Sequence, residues 1–282
     1  MVDKPTTGGS LQHSAICSLN AAAGTSAAIH QPNYIPWLGY FFKIAQADKF
    51  VFLDNVVYPD TSFVNRNSIK TPNGPAWLTI PVIRKGRRGQ LISEVETDNT
   101  HEWAERHLTT LRCNYGRAPY FKETLALLEP HYRISANNRR SLADFNIAVI
   151  CSIATYLGFS AQFIRASELS VSGRKTDLIL DICRAIGART YLAGTGWAKS
   201  FQEDEKLEEA GLTPIYSPFS QQRYRQLFGE FVGNLSVVDV LMNCGYLGTR
   251  RLLGIGSQDA NGAIFDNTQA RAKTDASIVD QI

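Results

Sequence analysis

Residues 26–55, SAAIHQPNYIPWLGYFFKIAQADKFVFLDN, decide the fold class of this chain. They predict a strand over 26–30, a loop interrupted by two prolines, a helix over about 37–46, and a second strand that ends at Asp54. The second strand, KFVFLD, does not alternate apolar with polar residues, which is typical of a strand buried on both faces of a parallel sheet. A strand–helix–strand unit of this kind indicates an α/β protein.

The rest of the chain continues this alternation and predicts a three-layer, mainly parallel, Rossmann-like sheet with right-handed crossovers. Two stretches depart from it. Residues 56–98 carry turn signals between β-type runs and predict an antiparallel β excursion, and residues 101–157 predict a mostly helical insertion. The later elements expected are strands over 161–167, 190–194 and 212–217, a helix capped by Ser172, and helices over 202–210 and 224–243.

The expected domain organisation is a single α/β catalytic domain over 26–254. A loose leader rich in Gly, Ser, Thr and Ala is expected over 1–25, and a weakly ordered polar tail over 255–282. No run of 18 apolar residues is present, so we expect no membrane-spanning helix. The five cysteines are scattered and lack C-x-x-C spacing, which argues against a disulfide framework or a cysteine zinc site and favours a cytoplasmic location.

The formal net charge of +3 is too small to argue for nucleic-acid binding by the whole chain. A local basic cluster contains two glycines and has two interpretations: a solvated hairpin turn, or a site for an anionic partner such as phosphate, a carrier protein or tRNA. The cluster consists of Arg84, Lys85, Arg87 and Arg88.

Polar side chains follow both strands of the opening unit, at the edge where open α/β sheets bind ligands. His30 could donate a hydrogen bond or act as a general acid or base, or could instead be a buried residue that ties down its loop with Asn33. Asp54 could orient His30 or a substrate group, or could cap the following turn. The other candidate ligand-binding residues here are Gln31, Asn33, Tyr34, Trp37 and Asn55.

Two further groups extend the candidate site. Asn65, Arg66 and Lys70 offer amides and cations for a carboxylate or phosphate, although a turn network uses the same residue types. Lys175 opens a predicted helix whose free N–H groups attract anions, and the Gly-Thr-Gly turn that contains Thr195 precedes Trp197. P-loop, zinc-hydrolase and serine-hydrolase motifs are absent from the sequence, and no metal site is expected.

Several motifs together resemble the WbqC-like protein family. They are HQPNYIPWLGY with the following helix and strand, NRNSIK, WLTIPV, TYLAGTGW and FGEFVGNLSVVDVLMNCG, in order over residues 28–246. The resemblance implies a role in bacterial surface-polysaccharide or natural-product biosynthesis, with transfer of an acyl or aminoacyl group. Departures from the family pattern at Val57-Tyr58 and at Thr195-Gly196-Trp197 imply a different substrate choice.

A second similarity is architectural. The order of strand, His-containing loop, helix and strand ending in Asp is similar to nucleotidylyltransferases and pantothenate synthetase, in which a His loop grips ATP phosphates. This chain has HQPN where those enzymes have a Gly-His pair, and it lacks their later lysine loop.

The function expected from residues and resemblance together is acyl or aminoacyl transfer onto an amine of a small-molecule acceptor. His30 would be the general base, Asp54 its orienter, and Asn33, Asn65 and Arg66 would hold substrate. The donor would be a CoA thioester, an acyl-carrier protein or an aminoacyl-tRNA, with no tightly bound cofactor. The alternatives are an ATP-dependent nucleotidylyltransferase or ligase and a non-catalytic small-molecule-binding protein.

Overall fold

The central sheet is parallel throughout, as the apolar strands predict. A computed structural model describes residues 24–59, 62–137, 141–194 and 202–255; most of the expected leader and tail lies outside these ranges. The strands in chain order are β1 (Ser26–His30), β2 (Lys49–Phe52), β3 (Arg66–Thr71), β4 (Gly74–Thr79), β5 (Gln162–Arg165), β6 (Thr190–Ala193) and β7 (Thr213–Tyr216).

The parallel strands lie in the order β5-β2-β1-β6-β7. In the register of β1, Ala27 lies opposite Lys49 of β2 and opposite Tyr191 of β6. The chain winds outward from β1 to β2 and β5, and then returns to the other side of β1 for β6 and β7. The sheet is therefore doubly wound, and its topological switch point lies between the carboxyl ends of β1 and β6.

Helices cover both faces of the sheet. In chain order they are α1 (Leu38–Gln46), α2 (Trp103–Tyr115), α3 (Phe121–Asn137), α4 (Leu142–Tyr156), α5 (Thr176–Ala185), α6 (Asp204–Glu209) and α7 (Val237–Leu252), with single 3-10 turns at Ile92–Glu94, Asn99–His101 and Ala166–Glu168. The side chains of successive β1 residues pack into two different hydrophobic clusters. Ala28 packs in the cluster that contains α1, α4 and α7, whereas Ala27 and Ile29 pack in the cluster that contains α5. This alternation confirms the layered α/β arrangement. No described helix combines the length and the apolar character needed to cross a membrane.

The β excursion is a separate hairpin beside the main sheet. β3 and β4 pair antiparallel around the Asn73-Gly74 turn, where Gly74 has a φ of 97°. β4 ends at Thr79, two residues before Pro81, which cannot donate a ladder hydrogen bond. The mostly helical insertion is confirmed by α2, α3 and α4, which supply much of the larger core.

Two predicted helix starts are wrong. α5 begins at Thr176 and not after Ser172, with Lys175 at its N-cap in a conformation with a φ of 52°. The helix expected over 224–243 begins only at Val237, capped by Ser236. Left-handed backbone at Phe228, with a φ of 61°, interrupts the helical pattern before it.

The loop before α7 is held by a buried carboxylate. Asp239, on the first turn of that helix, accepts hydrogen bonds from Tyr224 (2.7 Å), Gln226 (2.8 Å) and Tyr115 of α2 (2.7 Å). The pKa of Asp239 is raised because it is buried. This polar network explains why residues 224–234 are an ordered loop and not a helix.

The basic cluster lies on an exposed turn. Gly86 and Gly89 both have a φ of 75°, and Arg87 pairs with Glu96 at 3.0 Å, which fits the hairpin interpretation. Arg84 packs over the ring of Tyr58 at 5.7 Å. Binding of an anionic macromolecule at this turn stays a prediction.

Asp54 ties the ends of β2 and β5 together and does not orient His30. Its side chain is fully buried, and its oxygens accept hydrogen bonds from Arg165 Nε and from the Ser167 amide and hydroxyl, each at 2.8 Å. Within the described residues, the Asp54 carboxylate makes hydrogen bonds to these two partners alone. The expected pairing of Asp54 with His30 is therefore wrong, and the carboxylate has a structural position.

We predict that Asp54→Ala lowers the free energy of unfolding by about 3 kcal/mol, because the Arg165 guanidinium loses its buried partner. Urea denaturation measures the change. Asp144→Ala is the matched control, since Asp144 binds the same guanidinium at 2.7 Å but is 48% exposed, and it should cost no more than about 1 kcal/mol. Equal losses in the two variants would contradict the structural assignment.

Candidate functional site

His30 is the last residue of β1 and lies at the topological switch point. Its Nδ1 is 3.1 Å from the carbonyl oxygen of Gln31, and its ring packs edge-on against Tyr40 with centroids 4.8 Å apart. A carbonyl oxygen can only accept a hydrogen bond, so Nδ1 carries the proton in this contact. Nε2 of the neutral ring therefore holds the free lone pair.

The electrostatic surroundings keep the imidazole uncharged. Burial lowers the pKa of His30 to about 3, and the positive charge of Lys43 contributes to the shift. The side chain is neutral at physiological pH and can accept a hydrogen bond at Nε2. Its lowered pKa makes it a weak proton acceptor unless a bound ligand offsets the burial or the Lys43 charge.

Two cavities meet at His30, and both are lined by His30, Asn33 and Phe63. The smaller cavity, of about 540 Å³, lies on the α1 side of the sheet; its other lining residues include Trp37, Tyr40, Lys43, Ser217 and Phe219. The larger cavity, of about 730 Å³, lies on the α5 side; its other lining residues include Leu53, Val56, Val57, Lys175, Thr176 and Leu178. His30 thus borders both cavities.

Two buried asparagines hold the HQPNYIPWLGY loop in place. Asn67 of β3 donates to the Ile35 carbonyl at 2.9 Å, and Asn146 of α4 donates to the Pro32 carbonyl at 2.8 Å. Ile35 has a φ of 33°, a strained backbone conformation that these side-chain bonds help to maintain. The loop is therefore a rigid wall of both cavities.

Lys43 is the functional candidate that the sequence reading missed. It lies on α1 with only 6% of its surface exposed and lines the smaller cavity. Burial lowers the pKa of Lys43 to about 8. The signal in the sequence is a lysine three residues after Tyr40 within FFKIAQ, on a helix whose neighbouring residues are mostly apolar.

Some predicted site residues do line the cavities. Gln31 and Lys175 line the larger one, Trp37 lines the smaller one, and Asn33 lines both. Thr195 and Trp197 lie outside the described residues, although Gly194 before them borders the smaller cavity.

Other predicted residues have structural contacts instead. The Tyr34 hydroxyl binds His107 Nδ1 at 2.8 Å and also contacts the Tyr132 hydroxyl, inside the helical layer. Asn65 donates to the Ile80 carbonyl at 3.0 Å. Lys70 binds Gln226 Oε1 at 3.1 Å and the Glu230 carbonyl. These three residues were expected to bind substrate. Each is instead buried and hydrogen-bonded to a neighbouring part of the chain, where it stabilises the fold.

The remaining two predicted residues are not lining residues of either cavity. Arg66 stacks over the exposed ring of Trp77 at 4.7 Å, on the β3–β4 hairpin. Asn55 follows β2, and its buried Oδ1 has no hydrogen-bond partner among the described residues.

Comparison with known proteins identifies relatives of this chain. The profile of the WbqC-like protein family matches residues 31–250. The uncharacterized protein Rv1507c of Mycobacterium tuberculosis strain H37Rv is 35% identical over 219 residues, which cover 77% of this chain and 93% of that protein. No solved structure matches the chain.

We predict that Lys43→Met raises the pKa of His30, because the variant removes a cation that disfavours the imidazolium. NMR titration of the imidazole measures the shift. Lys49→Met is the control, since the Lys49 ammonium binds the Ile186 carbonyl at 2.6 Å and is not among the residues lining either cavity. An unchanged or lower pKa in Lys43→Met would contradict the interaction.

We also predict that Gly39→Ala destabilises the fold and moves the Trp37 ring. A Cβ at position 39 would lie 2.4 Å from Trp37 Cη2, so the ring must leave its contact with Phe219, where the centroids are 5.5 Å apart. Overpacking of this kind costs about 1–3 kcal/mol. Urea denaturation and tryptophan fluorescence measure the two effects.

The control for this prediction is the same substitution in a Trp37→Leu background. Without the indole, Ala at a helical position should stabilise by up to about 1 kcal/mol relative to Gly. A destabilisation of the same size in both backgrounds would show that the Trp37 ring is not the cause.

Proposed function

Because this chain belongs to the WbqC-like protein family and His30 lies between two cavities, we propose that it transfers an acyl or aminoacyl group onto an amine of a small-molecule acceptor. The reaction would serve bacterial surface-polysaccharide or natural-product biosynthesis in the cytoplasm. The observation that carries the proposal is the shared lining of the two cavities.

A transferase must bring two substrates to one reacting centre. The smaller and larger cavities share His30 and Asn33, so a donor in one and an acceptor in the other would meet at these side chains.

The larger cavity suits the donor. Its lining includes the apolar side chains of Leu53, Val56, Leu178 and Ile179, which fit an acyl chain or an aminoacyl side chain. We propose that the donor is a thioester of CoA or of a carrier protein, or an aminoacyl-tRNA ester. No tightly bound cofactor is required for this chemistry.

The smaller cavity suits the acceptor. The amine nitrogen attacks the donor carbonyl carbon while His30 Nε2 accepts the amine proton. The Asn33 side chain makes no hydrogen bond to another described residue and can donate to the developing oxyanion. Collapse of the tetrahedral intermediate forms the amide bond, breaks the bond to the thiol or hydroxyl leaving group, and returns the proton to that group.

The second candidate is an ATP-dependent nucleotidylyltransferase or ligase. The observation that favours it is the doubly wound strand order with His30 at the switch point and the start of α5, at Thr176, in the larger cavity. Thermal denaturation with millimolar ATP and magnesium separates the candidates, because a bound nucleotide must stabilise the fold. Absence of a shift would contradict the second candidate.

The first candidate predicts that His30→Asn lowers the transfer rate about 10²- to 10⁴-fold, because the proton acceptor is lost while a donor to the Gln31 carbonyl is kept. Mass spectrometry of the amide product from panels of thioester and aminoacyl-tRNA donors and amine acceptors measures the rate. His131→Asn is the control: its imidazole contacts Ser152 at 2.8 Å, away from both cavities. An unchanged rate in His30→Asn would refute the assigned base.

A further inference from the structure

We propose that the smaller cavity binds its substrate through an oxyanion, a carboxylate or a phosphate, which pairs with Lys43. The inference deepens the proposed function by naming a chemical group on the acceptor. Only the identification of the bound molecule as the acceptor rests on the proposed function. Binding of the oxyanion itself can be measured without any transfer reaction.

The ammonium of Lys43 is buried without an anionic partner among the described residues. Its only hydrogen bond there is a long one, 3.5 Å, to the carbonyl oxygen of Ile29. Within the part of the chain that the structure describes, no carboxylate neutralises Lys43, so an anion that enters the cavity can pair with this charge.

Two other described lysines, one buried and one partly buried, have close hydrogen-bond partners within the chain. Lys70, with 2% of its surface exposed, binds Gln226 Oε1 and the Glu230 carbonyl. Lys49 binds the Ile186 carbonyl at 2.6 Å. Lys43 differs from both, because it faces a cavity of about 540 Å³ and lacks a short bond. A buried cation that is kept without a partner lowers stability, so its place in the cavity fits ligand binding.

The surroundings of Lys43 complete a binding site for a small molecule. Asn33 is 8% exposed, lines the same cavity and makes no side-chain hydrogen bond to another described residue. Gly194, directly after β6, lies beside Lys43, since a Cβ placed on it would be 4.0 Å from the ammonium. Trp37 and Phe219 form an apolar wall for the carbon skeleton. One cation, one free amide and an aromatic wall favour a compact molecule with a single oxyanion.

Thermal denaturation of the full chain tests the proposal, with inorganic phosphate and acetate as separate probes at constant ionic strength set with sodium chloride. A probe at about ten times its dissociation constant should raise the wild-type Tm by roughly 2–4 °C. The rise should disappear in Lys43→Met and persist in Lys43→Arg, which keeps the cation. A response to phosphate alone or to acetate alone identifies which oxyanion the cavity takes.

The apo protein gives a second, independent readout. Lys43→Met removes an unpaired buried charge and keeps the side-chain length, so its Tm without probe should equal or exceed that of the wild type. Lys49→Met is the control: it should lower the Tm and keep the response to the probes.

Three results would overturn the oxyanion site. They are no response of the wild type to either probe, a full response in Lys43→Met, or a loss of apo stability in Lys43→Met that matches Lys49→Met. Failure of the transfer proposal looks different, because absence of amide product in every donor and acceptor panel would leave the Lys43-dependent shift intact.

Discussion

The pairing of β1 with β2 on one side and β6 on the other is the constraint on which the rest of the structure depends. β1 is central and buried on both faces, and its carboxyl end borders the crevice. From the carboxyl end of β1 the chain runs toward β2, whereas from that of β6 it runs the opposite way toward β7, and the crevice between β1 and β6 follows from this divergence. His30 occupies the crevice as the last residue of β1.

Rigidity at the crevice comes from outside the sheet. Asn67 and Asn146 reach from β3 and α4 to backbone carbonyls of the loop after His30, and Tyr34 anchors the same loop in the helical layer. The β excursion and the helical insertion thus act as supports for one loop. Their buried polar contacts fix the positions of Asn33 and Trp37, which a loop exposed to solvent would leave variable.

Burial at the crevice has opposite consequences for its two basic side chains. His30 becomes a neutral acceptor, with its Nδ1 proton held by the Gln31 carbonyl, whereas Lys43 remains a cation at neutral pH with a pKa lowered to about 8. The Lys43 charge also opposes protonation of His30. An oxyanion bound at Lys43 would offset this effect and strengthen His30 as a base, so substrate binding and proton transfer would be coupled electrostatically.

The sequence by itself determined β1, α1 and β2 to within about two residues, because prolines, apolar runs and strand-end polar residues are local signals. It also located His30, Asn33 and Trp37 at the candidate site. Only the tertiary structure decided that Asp54 pairs with Arg165 and that Lys70 binds the loop before α7. It also decided that Lys43 is a buried cation. The physical reason is that the partners of a buried polar side chain come from elements far along the chain, and no local pattern encodes them.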